Sequence, residues 1–170
     1  MARLFLFLTA LALGGGPATV AAPDFSGRWA AEPAAPGAPA GRGDMGSGWG
    51  TPLTITQDAN RLTVEYAFFG RGDLQPPLKF IYALDGSETK NSVMMGRGVQ
   101  TQSSKTAWDG DKLVITTIHT FADPATGKPA TVEVKQILSL ESPTSLVVET
   151  VRSGVLGGQP TSTKTVYRKG

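Results

Sequence analysis

Three copies of the tripeptide Gly-Arg-Gly are the first candidates for chemistry in this chain. They occupy residues 41–43, 70–72 and 96–98, and each sets one guanidinium between two glycines. A guanidinium presents its donors as a planar fork that matches a carboxylate or a phosphate. Arg42, Arg71 and Arg97 therefore predict a site for an anionic group, provided that the fold brings them together. Arginine in glycine-rich turns also serves solvation alone, and that alternative stays open.

His119 is the single histidine, and a histidine can act as a general base near neutral pH. No carboxylate or nucleophile stands at a spacing that identifies it as a partner. The chain also lacks Gly-x-Ser-x-Gly, a phosphate-binding loop and a dinucleotide fingerprint. We therefore assign no catalytic residue and no cofactor, and we treat His119 as a candidate ligand-binding residue.

Composition argues against a metal site and against nucleic-acid binding. The chain has no cysteine, and its 4 methionines follow no repeated spacing. Without cysteine there are no disulfides, thiolate ligands or thiol nucleophiles. The 16 Lys and Arg side chains against 14 Asp and Glu give a net charge of +2, and they form no basic run. A nucleic-acid interface needs a concentrated basic face, so none is predicted.

The first 22 residues predict a secretory signal peptide. Arg3 supplies the positive start, Leu4 to Leu13 form an apolar run, and small residues follow up to Ala21 and Ala22. The run is too short to span a bilayer, so no stable membrane insertion is expected after cleavage. We expect one exported domain over 23–170, in the periplasm or outside the cell.

Strands are the elements that must position these side chains. From Pro52 onward apolar and polar residues alternate with a period of two, and no window shows a sustained helical period. The predicted strands are 24–30, 51–57, 61–69, 78–84, 89–95, 99–108, 112–121, 130–141, 145–152 and 161–168. The fold class is therefore all-β, an antiparallel up-and-down meander that closes into a barrel of about 8–10 strands.

The predicted connections nearly alternate between short and long, with 96–98 as a short exception among the long ones. Tight turns rich in Asp, Asn and Gly are expected at 58–60, 85–87, 109–111 and 142–144. The other connections are 31–50, 70–77, 96–98, 122–129 and 153–160. In an antiparallel meander alternate connections lie at opposite ends of the sheet. The tight turns then form a closed end, and the other connections, which carry all three Gly-Arg-Gly copies, surround an open end.

The connection 31–50 is rich in Gly and Pro and predicts a flexible loop. Met45 and Trp49 within it are available to contact the mouth of the barrel. A plain disordered linker is the alternative interpretation.

Polar and aromatic residues on the apolar strand faces predict the lining of the barrel. Buried polar side chains need hydrogen bonds, water or a ligand, so several of them in one interior point to one of these three. The candidates are Tyr66, Phe68, Phe80, Tyr82 and Gln136 in the lumen, and Arg42, Arg71, Arg97, His119 and Arg152 at the rim. The inward face of 99–108 and of 161–168 stays undecided, because both faces are mixed.

The segment Phe25-Ser26-Gly27-Arg28-Trp29 resembles the Gly-x-Trp signature that opens the first strand of lipocalins and related calycin barrels. In that superfamily the tryptophan packs at the closed end, beneath an arginine from a late strand. The resemblance implies that role for Gly27 and Trp29, with Arg168 as the expected cover.

A closer likeness is to small exported bacterial lipocalin-like proteins, which share Trp-Asp-Gly-Asp-Lys-Leu (residues 108–113) and the ending Val-Tyr-x-Lys (residues 166–169). These proteins have no assigned activity. The lipocalin Thr-Asp-Tyr motif is missing, and the Arg-x-Tyr pair of fatty-acid-binding proteins is not matched. The resemblance therefore implies a lipocalin- or fatty-acid-binding-protein-like barrel as the fold, and no residue-level function.

These observations favour a periplasmic or secreted protein that binds a small amphipathic molecule inside the barrel, with an anionic head group as one option. The alternative is a structural or interaction module of the cell envelope whose barrel is filled by its own side chains. An enzyme that uses the barrel mouth is a third interpretation. The oligomeric state is left open.

Overall fold

The computed structural model describes residues 22–33, 49–66, 78–95, 98–123, 125–154 and 157–170. Each of the ten predicted strands is present in this part of the chain, and no helix is. The strands are β1 (Gly27–Ala31), β2 (Leu53–Gln57), β3 (Arg61–Tyr66), β4 (Leu78–Ala83), β5 (Thr89–Met95), β6 (Gly98–Asp109), β7 (Lys112–Ala122), β8 (Pro129–Ser142), β9 (Ser145–Arg152) and β10 (Thr161–Lys169). Alternating burial along β3, β7 and β8 follows the period of two that predicted them.

The strands form one antiparallel sheet in the order β4-β3-β2-β1-β10-β9-β8-β7-β6-β5. Chain neighbours pair with each other except β4 and β5, and β1 joins β10, with Trp29 opposite Lys169. The sheet thus curls into a nearly closed barrel, which confirms the all-β meander and is compatible with a lipocalin-like fold. Because consecutive strands are antiparallel, the tight β2–β3, β4–β5, β6–β7 and β8–β9 turns lie at the closed end. Gly86 and Gly110 in two of these turns have φ of +82° and +62°, which favour glycine.

In the described part of the chain, main-chain hydrogen bonds between strands run around the barrel except at one seam, between the edge strands β4 and β5. The side-chain amide of Asn91 on β5 bridges it: the Ile81 main-chain N–H donates to Asn91 Oδ1 (2.8 Å), and Asn91 Nδ2 donates to the Ile81 carbonyl (2.9 Å). The Thr106 hydroxyl on β6 donates to the Ala83 carbonyl on β4 nearer the closed end. One amide side chain therefore replaces a pair of ladder hydrogen bonds.

A short N-terminal segment seals the closed end. Residues 24–26, predicted as strand, lie outside β1, because Asp24 Oδ1 accepts from the Ser26 N–H and bends the chain. The Gln57 side chain holds this segment: it accepts from the Phe25 N–H (3.1 Å) and donates to the Pro23 carbonyl (3.0 Å). Phe25 is fully buried and stacks on Trp108 at 6.2 Å between ring centroids. We refer to residues 23–26 as the plug.

The cation over Trp29 belongs to Lys169, whose Nζ lies 5.4 Å from the ring centroid. Arg168, the residue expected there, instead pairs on the outside with Glu32. The reason is strand alternation: Tyr167 and Lys169 share the inward face of β10, so Arg168 must face out. Trp29 Nε1 donates to the Phe25 carbonyl at 2.9 Å, which ties the plug to the signature tryptophan.

Replacing Asn91 by Asp should open the seam. The carboxylate keeps the acceptor for Ile81 but sets an oxygen against its carbonyl, which should lower the free energy of unfolding by about 2 kcal/mol at pH 7. Urea denaturation measures the loss, which should shrink at acid pH, where a protonated carboxyl can donate again. Asn60→Asp, the same change in an exposed turn, is the control. Equal losses in both variants would contradict the role of Asn91.

Replacing Gly27 by Ala should loosen the cover of Trp29. Gly27 has φ +154°, and an added Cβ would lie 2.5 Å from Lys169 Cε. We expect a loss of about 1–3 kcal/mol in thermal or urea unfolding. Gly170→Ala, where an added Cβ meets nothing within 4 Å, should change stability little. If Gly27→Ala leaves the stability unchanged, the close approach of Gly27 and the Lys169 side chain is not a constraint on the fold.

Candidate functional site

The barrel interior has two walls of different chemistry. The aromatic wall consists of Trp49, Tyr66, Phe80 and Tyr82, all buried. Tyr66 meets the Trp49 ring edge-on at 5.8 Å and the Phe80 ring edge-on at 5.7 Å, and Phe80 stacks on Tyr82 at 6.4 Å. Contacts of this geometry contribute beyond the buried area alone. β3, β4 and the residues just before β2 thus supply a continuous apolar surface.

The polar wall comes from β5 to β9. Six buried side chains and one half-buried side chain form it: Asn91, Gln102, Ser104, Thr117, His119, Gln136 and Arg152. They alternate with exposed neighbours such as Lys105 and Ile118, which establishes that they face inward.

The polar wall lies toward the open end. On β7 the inward residues nearest the tight turn are Leu113 and Ile115, and those farther along are Thr117 and His119. On β9, Leu146 and Val148 are followed on the same face by Thr150 and Arg152. The closed half of the interior is therefore an apolar core, and polarity increases toward the mouth.

Hydrogen bonds account for part of this wall. The hydroxyls of Ser104 and Thr117 bond to each other at 2.9 Å, and the Asn91 amide is engaged at the seam. Gln102 stands opposite Asn91 in the β5–β6 register and is 3% exposed. Its Nε2 has no hydrogen-bond partner within the described residues. An unpaired buried donor costs about 1–3 kcal/mol, so this amide is poised to bind an acceptor.

Arg152 brings a guanidinium to the same wall. It lies opposite Val134 on β8 and Thr161 on β10, and its side chain is half-buried. The carboxylates of the described residues lie in turns, in the plug or at outward strand positions. The interior face that the structure shows is therefore polar toward the open end and includes one guanidinium there.

The structure places the predicted site residues as follows. Tyr66, Phe80, Tyr82 and Gln136 line the interior. His119 lies on the same inward face, 3% exposed, and not at a solvated rim. Arg42, Phe68, Arg71 and Arg97 lie outside the described residues, as does Met45. The pattern analysis missed Asn91, Gln102 and Ser104, because the first half of β5 and most of β6 are polar on both faces and give no inward preference. It also left Thr117 out of the candidates, although Thr117 shares the inward face of Leu113 and Ile115 on β7.

A latch holds the chain next to the aromatic wall. The Gly50 N–H donates to the Tyr167 hydroxyl at 2.6 Å, and this bond joins the residue after Trp49 to β10. Gly50 has φ +97°, a conformation that favours glycine. Burial raises the pKa of Tyr167 from 10.0 to about 12, only partly offset by the Gly50 hydrogen bond, which stabilises the phenolate.

Two other kinds of site are not seen in the described part of the chain. No three His, Asp or Glu side chains gather there as metal ligands. None of its elements is a helix long and apolar enough to cross a membrane. No protein-family model matches the chain, and no significant match to a curated protein is found.

The pKa of Tyr167 predicts a loss of stability in alkali. Because the folded-state pKa is raised, the stability that the neutral phenol contributes is complete below pH 10 and is lost as the pH rises from 10 to about 12. The loss should be about 2–3 kcal/mol beyond that of Tyr167→Phe, measured by urea unfolding across this range. Parallel pH profiles for the two proteins would contradict the raised pKa.

Proposed function

We propose that the protein is an exported, lipocalin-like binding protein for a small amphipathic molecule, which it holds in the barrel between the aromatic and polar walls. The observation that carries this proposal is Gln102 Nε2, which is buried on the polar wall and has no hydrogen-bond partner among the described residues. A barrel that served only as a scaffold would be more stable with apolar residues at these positions. The leader and the Gly-x-Trp signature support export and the lipocalin-like classification.

The two walls contact different parts of the ligand. Tyr66, Phe80 and Tyr82 offer ring surface to the apolar part of a ligand. Gln102 offers an N–H to an acceptor, and the Arg152 guanidinium favours a negative charge nearby. The ligand that fits is therefore a small molecule with one apolar part and one acceptor or anionic group.

Gln102→Leu should separate binding from folding. The change removes the unpaired donor while keeping the volume, so the free energy of unfolding should change by less than about 1 kcal/mol. Binding of 8-anilinonaphthalene-1-sulfonate, an anionic amphipathic probe, should weaken about tenfold. Fluorescence titration measures the affinity, and Gln159→Leu, at an exposed position, is the control. Equal affinities for both variants would place the probe outside the polar wall.

Native mass spectrometry of the protein from its own cell envelope tests the proposal directly. We expect a co-purifying small molecule that is lost in Gln102→Leu and kept in Gln159→Leu. If the protein carries nothing and binds no member of a panel of lipids and aromatic acids, the binding function is wrong. The filled-barrel interaction module would then be favoured, with the exposed Ile118 and Val151 on its outer face as the first surface to test.

A further inference from the structure

One ring of the aromatic wall does not come from a strand. Trp49 precedes β2 at the end of the connection 31–50, yet its indole is 5% exposed and joins the core. It stands edge-on to Tyr66, with an interplanar angle of 79°. A residue from an open-end connection thus occupies space inside the barrel.

The indole is a poor fit to that space in one respect. Trp49 Nε1 is buried and has no hydrogen-bond partner among the described residues. Trp29 shows the usual arrangement, because its Nε1 donates to the Phe25 carbonyl. Buried tryptophan N–H groups normally find an acceptor, and one that does not costs about 1–3 kcal/mol. The surroundings of Trp49 suit a flat ring but provide nothing for its N–H.

The chain beside Trp49 is anchored while the ring is not. The Gly50 N–H is bonded to Tyr167, so the main chain next to the indole is fixed to β10. Among the described residues, the indole itself makes a ring contact with Tyr66 but no hydrogen bond. Rotation of the indole away from Tyr66 therefore breaks no hydrogen bond among the described residues, and it leaves the Gly50–Tyr167 bond in place.

We propose that Trp49 occupies the place of a ligand's ring. This inference rests on the binding function proposed above and narrows its ligand class to planar aromatic anions, such as aromatic carboxylates or sulfonates. The ligand's ring replaces the indole against Tyr66, and its anionic group faces the polar wall. Binding thus displaces Trp49 and relieves its unpaired N–H.

Fluorine NMR of the protein labelled with 5-fluorotryptophan tests the displacement. The chain has 3 tryptophans, and Trp49→Phe assigns the Trp49 signal by its loss. Addition of 1-naphthoate should shift the Trp49 signal and leave those of Trp29 and Trp108, at the closed end, in place. Decanoate, an aliphatic carboxylate of similar size, should produce little shift at equal concentration.

Trp49→Ala provides a second measurement. Removing the competing ring should tighten 1-naphthoate binding about tenfold, because the ligand no longer has to displace a buried indole whose apolar contacts outweigh the cost of its unpaired N–H. Binding that leaves the Trp49 signal unmoved, or an equal response to decanoate, would overturn this inference while the binding function stands. If neither carboxylate binds the wild type or Trp49→Ala, this inference is wrong, and the binding function is also wrong if the wider panel and the native mass spectrum are negative as well.

Discussion

Two side-chain amides close this barrel where main-chain ladders stop. An amide carries the same donor and acceptor as a peptide group, so it can pair with a strand edge as another strand would. Asn91 does this for Ile81 across the β4–β5 seam, and Gln57 does it for the plug. Without these bonds the sheet would have two bare edges and an unsealed base, and water would reach the interior. The character of the interior follows from this closure.

Because water is excluded from the interior, a polar group there that lacks a hydrogen bond raises the free energy of the folded state. The raised pKa of Tyr167 is a direct sign of desolvation. In the same environment the Ser104 and Thr117 hydroxyls bond to each other, whereas Gln102 Nε2 and Trp49 Nε1 have no partner in the part of the chain that the structure describes. One of these donors lies on the polar wall and the other on the aromatic wall, so both sides of the interior retain hydrogen-bonding capacity.

Periodicity predicted the strands because a half-buried strand must alternate, and the meander followed from the turn residues. It could not choose the inward face of β6, where Gln, Ser, Thr and Lys fill both sides; only the register with β7, which sets Ser104 opposite Thr117, decides it. The alternation of side chains along β10 also explains why Lys169, and not Arg168, covers the Trp29 ring. Asn91 carried no signal at all, because a seam is a property of the closed sheet and not of any local segment.

The β1–β10 ladder pairs residues from opposite ends of the domain, with Trp29 opposite Lys169. Contacts so distant along the chain carry the largest loop-closure entropy and form late. β10 lies between β1 and β9 in the sheet, so each of these strands lacks one neighbour until β10 has been synthesised, and the barrel cannot close. A nascent chain of this topology therefore cannot close its barrel until translation is nearly finished.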